Sequence, residues 1–216
     1  MEEKEIQDEL ASIRNLMERS SKFISLSGLS GVLAGIYALI GGTAAYYILY
    51  VTGPFGGISR RYYAIDKEID LSVGISDQTY LLLFIAVLVL VASVATGIIL
   101  SLKKAKRKGQ RIWSKTSKAL LFNMMAPLMA GGVLILILLY RGYFGVVSPA
   151  SLIFYGLALI GASNYTFTDI KYLGLCEVLI GLIAACLPGY GLLFWAIGFG
   201  VLHIVYGSMM YFKYDK

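Results

Sequence analysis

Two residues of this sequence could do chemistry inside a lipid bilayer. Glu177 is the only acidic residue well within an apolar run, and His203 is the sole histidine of the chain. Ionisable groups in hydrocarbon are costly and mark functional sites by default. Counted from Gly189, the two stand 12 and 14 residues away on either side of a turn. In an antiparallel hairpin their depths then differ by about 3 Å, so they can form one polar pair. A structural hydrogen bond, or a Glu177 that reaches the nearby interface, is the competing reading. The two cysteines, Cys176 and Cys186, lie ten residues apart in one helix, roughly 15 Å along its axis, too far to bridge. No CxxC accompanies them, and they read as buried, inert thiols.

A second candidate is Gly28-Leu29-Ser30-Gly31. A serine needs a base to become a nucleophile, and His203 is the one base on offer. This GxSG element resembles that of the rhomboid intramembrane proteases. It sits in the first span, however, with no preceding helices to complete a protease core, and it opens toward the cytoplasm. The packing reading, in which small residues let helix backbones approach closely, outweighs it. HExxH, paired intramembrane aspartates and phosphate-binding glycine loops are all missing, so the sequence points to no enzyme, metal or cofactor.

The elements that must position these residues are membrane helices. Of 216 residues, 58% are hydrophobic and 15% charged, with a mean hydropathy of +0.74, too apolar for a soluble domain. Apolar runs bounded by charge predict an all-α, polytopic bundle of six spans. They lie near Phe23 to Tyr50, Tyr80 to Leu102, Leu120 to Tyr140, Val146 to Ser163, Tyr172 to Leu187 and Gly191 to Tyr211. The domain layout is a cytoplasmic amphipathic segment over 1–22, the transmembrane domain over 23–212 and a tail over 213–216. Only Pro188 to Tyr190 separate spans five and six, which makes that hairpin the firmest helix pairing. Segments alternating with the N-terminus carry 15 Lys and Arg against 4 on the opposite side. The positive-inside rule then puts both termini in the cytoplasm and the protein in the cytoplasmic (inner) membrane.

The chain repeats itself. Residues 28–35 and 174–181 agree at five of eight positions, so that Gly28 and Gly35 match Gly174 and Gly181, and Gly31 falls opposite Glu177. Spans two, four and six share Leu82-Leu83-Phe84, Leu152-Ile153-Phe154 and Leu192-Leu193-Phe194. The expectation is three two-helix hairpins packed through Gly28, Gly31, Gly35, Gly174 and Gly181. The Gly-Leu-x-x-Val-Leu-x-Gly element, the Pro188-Gly189 turn and an apolar helix reaching Gly207 resemble the HdeD-type family of small six-helix bacterial membrane proteins. That resemblance covers 174 to 207 and implies three helical hairpins in the inner membrane, with a role linked in the named member to acid resistance. The long charged N-terminal segment and long first outer loop depart from the type.

The loop from Lys103 to Lys118 carries eight basic residues and no acidic one beside Trp113, which suits anionic lipid headgroups at a cytoplasmic interface. It offers no groove-reading element for nucleic acid. In the N-terminal segment Ile6, Leu10, Ile13 and Met17 recur at helical spacing. Residues 1–19 carry six acids against three bases, so the stripe should meet protein, a second copy or a partner, rather than an anionic leaflet. Asn123 and Pro127 in span three read as an interhelical hydrogen bond and a kink, and the sequon at Asn164 as a chance occurrence on the cytoplasmic side. Association with a partner or with itself is therefore the first functional expectation. A small transporter or channel using Glu177 and His203 is the second, and an intramembrane serine protease a distant third.

Overall fold

The structure is a computed structural model that describes residues 26–51, 77–107, 109 and 113–215. The N-terminal stripe of Ile6, Leu10, Ile13 and Met17, the extent of segment 1–22, and Arg60, Arg61 and Lys67 lie outside the described residues. Among those described, all regular structure is helical. The helices are α1 (Gly28–Tyr50), α2 (Asp77–Arg107), α3 (Lys115–Tyr140), α4 (Val147–Ser163, entered through a 3-10 turn at Phe144–Val146), α5 (Ile170–Cys186) and α6 (Gly191–Tyr214). Hydrocarbon supplies no partner for a backbone amide, so segments this apolar must satisfy their hydrogen bonds internally. α1, α2, α3, α4 with its lead-in turn, and α6 are each long and apolar enough to cross a membrane. The 17-residue α5 is not among these five.

Local chemistry explains the element ends. Ser114 caps α3 by accepting the Ser117 N–H at 3.0 Å. Gly189, at φ +93°, makes the turn from α5 into α6, a conformation that costs other residues energy. Pro127 lies inside α3 and has no N–H to offer the Asn123 carbonyl one turn before it. A Cβ added at Gly161 of α4 would sit 3.2 Å from that carbonyl oxygen, so the acceptor deprived of its usual donor faces a glycine. Asn123 itself donates to Ala119 O at 2.9 Å within its own helix. The interhelical bond expected of it is not made, because the nearer carbonyl captures the amide.

The closest helix pairs are α1 with α6 and α4 with α5. A Cβ on Gly35 would meet Gly200 O at 2.6 Å and Ile204 N at 3.0 Å, and one on Gly28 would meet Gly207 O at 2.7 Å and the Tyr211 amide. On the other pair, a Cβ on Gly174 would meet Gly156 O at 2.7 Å and Ile160 N at 3.0 Å, and one on Gly181 would meet Ile153 N at 3.1 Å. The two crossings have one register. Gly28 to Gly174 and Gly35 to Gly181 are both steps of 146 residues, while Gly207 to Gly156, Tyr211 to Ile160 and Ile204 to Ile153 are all steps of 51. By the same steps Gly31 corresponds to Glu177 and His203 to Leu152.

This packing differs from the expected pairing in one respect. α5 and α6 are joined by the short turn, but their contact is thin and confined to a few positions. Backbone approach follows the glycine faces, and those turn α5 toward α4 and α6 toward α1. α2 lies at one edge against α1 and α3 at the other edge against α4, with most large apolar side chains of both outermost. The cysteines are also placed differently from expectation. The face of α5 bearing Gly174, Glu177 and Gly181 is buried, so Cys176 and Cys186 on its other side are exposed.

One end of the bundle is tied by charge. Asp215 accepts from Ser27 Oγ at 3.1 Å and from the Gly28 amide at 2.8 Å, capping α1, and forms an ion pair with Lys104 at the end of α2. Lys104 also donates to Leu26 O at 2.6 Å and lies over the Phe167 ring, which stacks on Tyr214. Asp169, just ahead of α5, accepts from Lys213 Nζ at 2.6 Å and Tyr214 Oη at 2.9 Å. The start of α1, the end of α2, the α4–α5 connection and the end of α6 therefore meet at a single end.

Candidate functional site

The structure brings Glu177 and His203 together. His203 Nδ1 lies 3.4 Å from Glu177 Oε1, with the carboxylate fully buried and the imidazole nearly so. A third residue completes the group. The Tyr155 hydroxyl, on α4, stands 2.8 Å from His203 Nε2. Three helices thus each supply one side chain, and α1, packed on the far side of α6, adds no ionisable group at this level. Its Gly31 faces the backbone of His203 and Gly207.

Hydrogen-bond geometry assigns the imidazole tautomer. His203 Nδ1 is 3.0 Å from Gly198 O, and a carbonyl can only accept, so Nδ1 carries the proton. In the neutral ring Nε2 is then the acceptor, and Tyr155 donates to it. Because the Nδ1–H points at Gly198 O, neither Glu177 oxygen has a hydrogen-bond partner, although Oε1 is within ion-pair distance. Oε2 occupies the space beside Gly198, where an added Cβ would come within 2.5 Å of it. Gly198 therefore has two duties: its carbonyl orients the ring, and its missing side chain leaves room for the carboxylate.

The backbone at Gly198 is unusual. Residues Ala196–Leu202 form a π-helical stretch of seven residues leading directly into His203. Such wide turns inside an α-helix are uncommon and often accompany functional sites. Aromatic rings surround the outer side of the imidazole: Phe199 stacks on it with centroids 5.9 Å apart, and Tyr155 and Trp195 lie 5.0 and 5.2 Å from Phe199. The site is one polar chain, Tyr155–His203–Glu177, held in an apolar and aromatic wall. Such an arrangement can hold a proton at more than one atom.

Ser30 of the GxSG element does not join this chain. Its hydroxyl donates to Ser27 O at 2.6 Å, while both imidazole nitrogens of His203 are engaged elsewhere. The predicted packing glycines Gly28, Gly31, Gly35, Gly174 and Gly181 all lie at the two close helix crossings. Tyr155 was not singled out by the sequence, where it is one of 16 tyrosines. The available signal was its depth. Tyrosine in membrane helices favours the interfaces, whereas Tyr155 stands in the middle of span four.

Outside the bundle, hydrogen bonding to Lys213 holds the Asp169 carboxyl below the ordinary carboxylate range, with Tyr214 adding in the same direction. Lys118 lies over the Trp113 ring at 6.0 Å, at the edge of the basic loop. No protein-family model, curated protein or solved structure matches this chain.

Proposed function

We propose that this chain is a non-enzymatic, six-span protein of the cytoplasmic membrane, with both termini inside, that works as a small proton-linked transporter through Tyr155, His203 and Glu177. The observation that carries the reading is the Glu177 carboxylate, buried without a hydrogen-bond partner 3.4 Å from the chain's sole histidine. A purely structural polar group in lipid is ordinarily satisfied. Glu177 is held unsatisfied beside a group that can accept or give up a proton, which is the condition of a working site. Its position supports the same reading. α4 with α5 and α6 with α1 are matched helix pairs of like direction, Glu177 belongs to one and His203 to the other, and transporter sites commonly lie at repeat interfaces. Counting α5 as a span rests on its 17 residues, about 25 Å of helix, at the lower limit for crossing. The HdeD-type resemblance would agree with the six-helix inner-membrane architecture and with a role under acid.

The test uses proton movement itself. Liposomes loaded with a pH-sensitive dye and clamped electrically should equilibrate faster with the reconstituted protein than without it. Glu177→Gln and His203→Gln should return the rate to that of protein-free liposomes. A wild-type rate equal to protein-free liposomes would refute the reading.

A second reading, association through the acidic segment bearing Ile6, Leu10, Ile13 and Met17, is favoured by the charge of that segment, which disfavours an anionic leaflet. Replacing Leu10 and Ile13 with Asp should disperse an oligomer or release a co-purifying protein while insertion is unchanged. The same size and the same co-purifying proteins would refute it. The basic loop 103–118 would rest on anionic lipid headgroups on the same side.

A further inference from the structure

Polar side chains are distributed unevenly on either side of the Tyr155–His203–Glu177 site. Toward the turn at Gly189, α5 from Val178 to Ala185 and α6 from Gly191 to Leu202 hold no ionisable side chain. On α4, the Ser151 hydroxyl is consumed by Ser148 O at 2.7 Å. Toward the opposite end the picture reverses. Tyr206 follows His203 by three residues on α6, about 4.5 Å along the axis, and its hydroxyl is buried without a partner. Cys176 and Tyr172 of α5, Asp169 ahead of α5 and Tyr214 of α6 lie within electrostatic reach of it. Asp169 and Tyr214 are hydrogen-bonded to one another at the surface. An orphaned buried hydroxyl thus belongs to a residue one helical step from His203, on the side of the tied end. At that end the Asp215 contacts to Lys104, Ser27 and the Gly28 amide tie α6 to α1 and α2.

We propose that, in this conformation, the site exchanges its proton with one side of the membrane only, the side of Asp169 and Asp215, through the Tyr206 hydroxyl, and that the Asp215 contacts gate this route. The inference rests on the proton-linked reading above. A hydroxyl can accept a proton on one lone pair while releasing its own, so Tyr206 can relay without a net change of charge. Toward Gly189, Val178 to Ala185 of α5 and Gly191 to Leu202 of α6 offer no hydroxyl or ionisable group.

Because the chain has one histidine, ring-labelled histidine reports on His203 alone. The full chain with a C-terminal tag is reconstituted in liposomes, which are sorted by tag capture into tag-outward and tag-inward sets. The external pH is jumped, and the labelled imidazole is followed by time-resolved infrared absorption. The expected result is a prompt response in tag-outward vesicles and a delayed one in tag-inward vesicles. Tyr206→Phe, which removes only the unpartnered hydroxyl, should slow the prompt response about 100-fold, the lower range for a positioned proton-transfer group. Asp215→Asn should quicken it. Equal promptness in both orientations, or an unchanged rate in Tyr206→Phe, would overturn the one-sided route. An unchanged or slower rate in a folded Asp215→Asn protein would overturn the gate. A wild-type imidazole that never responds to pH in either set would instead overturn the proton-linked reading on which this inference stands.

Discussion

If Glu177 and His203 act as one unit, removing both should cost less than the sum of removing each. The separation of 3.4 Å between Nδ1 and Oε1 sets the scale. For an ion pair at that distance and an effective dielectric constant near 20, Coulomb's law gives about 5 kcal/mol. Neutral hydrogen-bonded pairs between membrane helices average only about 0.6 kcal/mol and reach roughly 1.7. With Glu177 and His203 both charged, Glu177→Gln and His203→Gln should each destabilise the folded bundle, since each leaves the other charge buried without its partner. The double mutant should recover about 2 kcal/mol or more relative to additivity. Reversible unfolding by SDS in mixed micelles, run on wild type, both single mutants and the double mutant, gives the four free energies. A coupling above the neutral ceiling identifies a charge-sharing pair. Additivity within about 0.5 kcal/mol would refute the reasoning.

The proposed topology predicts that cysteines placed near Lys67 label from outside, and those near Arg107 and Lys213 only after permeabilisation; external labelling at Arg107 would overturn the orientation. Gly174→Ala should cost about 1–3 kcal/mol, because its Cβ would lie 2.7 Å from Gly156 O and 3.0 Å from Ile160 N. Gly132→Ala, with nothing within 4 Å, should cost nothing in the same unfolding assay. The lowered Asp169 carboxyl fixes the sign of one acid effect. Its tie to Lys213 contributes stability above the ordinary aspartate range, and this is lost as pH falls below about 4 toward the depressed value. Asp169→Asn should remove that part of the acid dependence, read as the pH profile of thermal unfolding.

Sequence alone located the helices because charge, Pro and Gly punctuate this chain strongly. Tyr50, Tyr140 and Ser163 end α1, α3 and α4 as expected. α2 runs on to Arg107 rather than stopping at Leu102, because its lysines are good helix formers whose long stems reach water from the last turn. The Glu177–His203 pair was legible from nearly matching distances to one turn, 12 and 14 residues, a purely local measurement. Helix partnership was not. Whether α5 lies on α4 or on α6 depends on which faces the glycines occupy in three dimensions, and hydropathy is blind to faces in helices apolar all round. The π-helical stretch at Ala196–Leu202 has no period of its own in an apolar run, so neither the seat for the carboxylate at Gly198 nor the reach of Tyr155 could be anticipated.

The central claim, that Tyr155, His203 and Glu177 form a single proton-exchanging unit, is tested most directly by nuclear magnetic resonance of the sole histidine in lipid nanodiscs. Ring-nitrogen shifts should show the proton on Nδ1 in the neutral form, as the Gly198 carbonyl at 3.0 Å requires. The midpoint of the His203 titration should move by about one pH unit or more in Glu177→Gln, the size expected from a carboxylate within 4–6 Å. A proton on Nε2, or a titration curve unchanged by Glu177→Gln, would contradict the account.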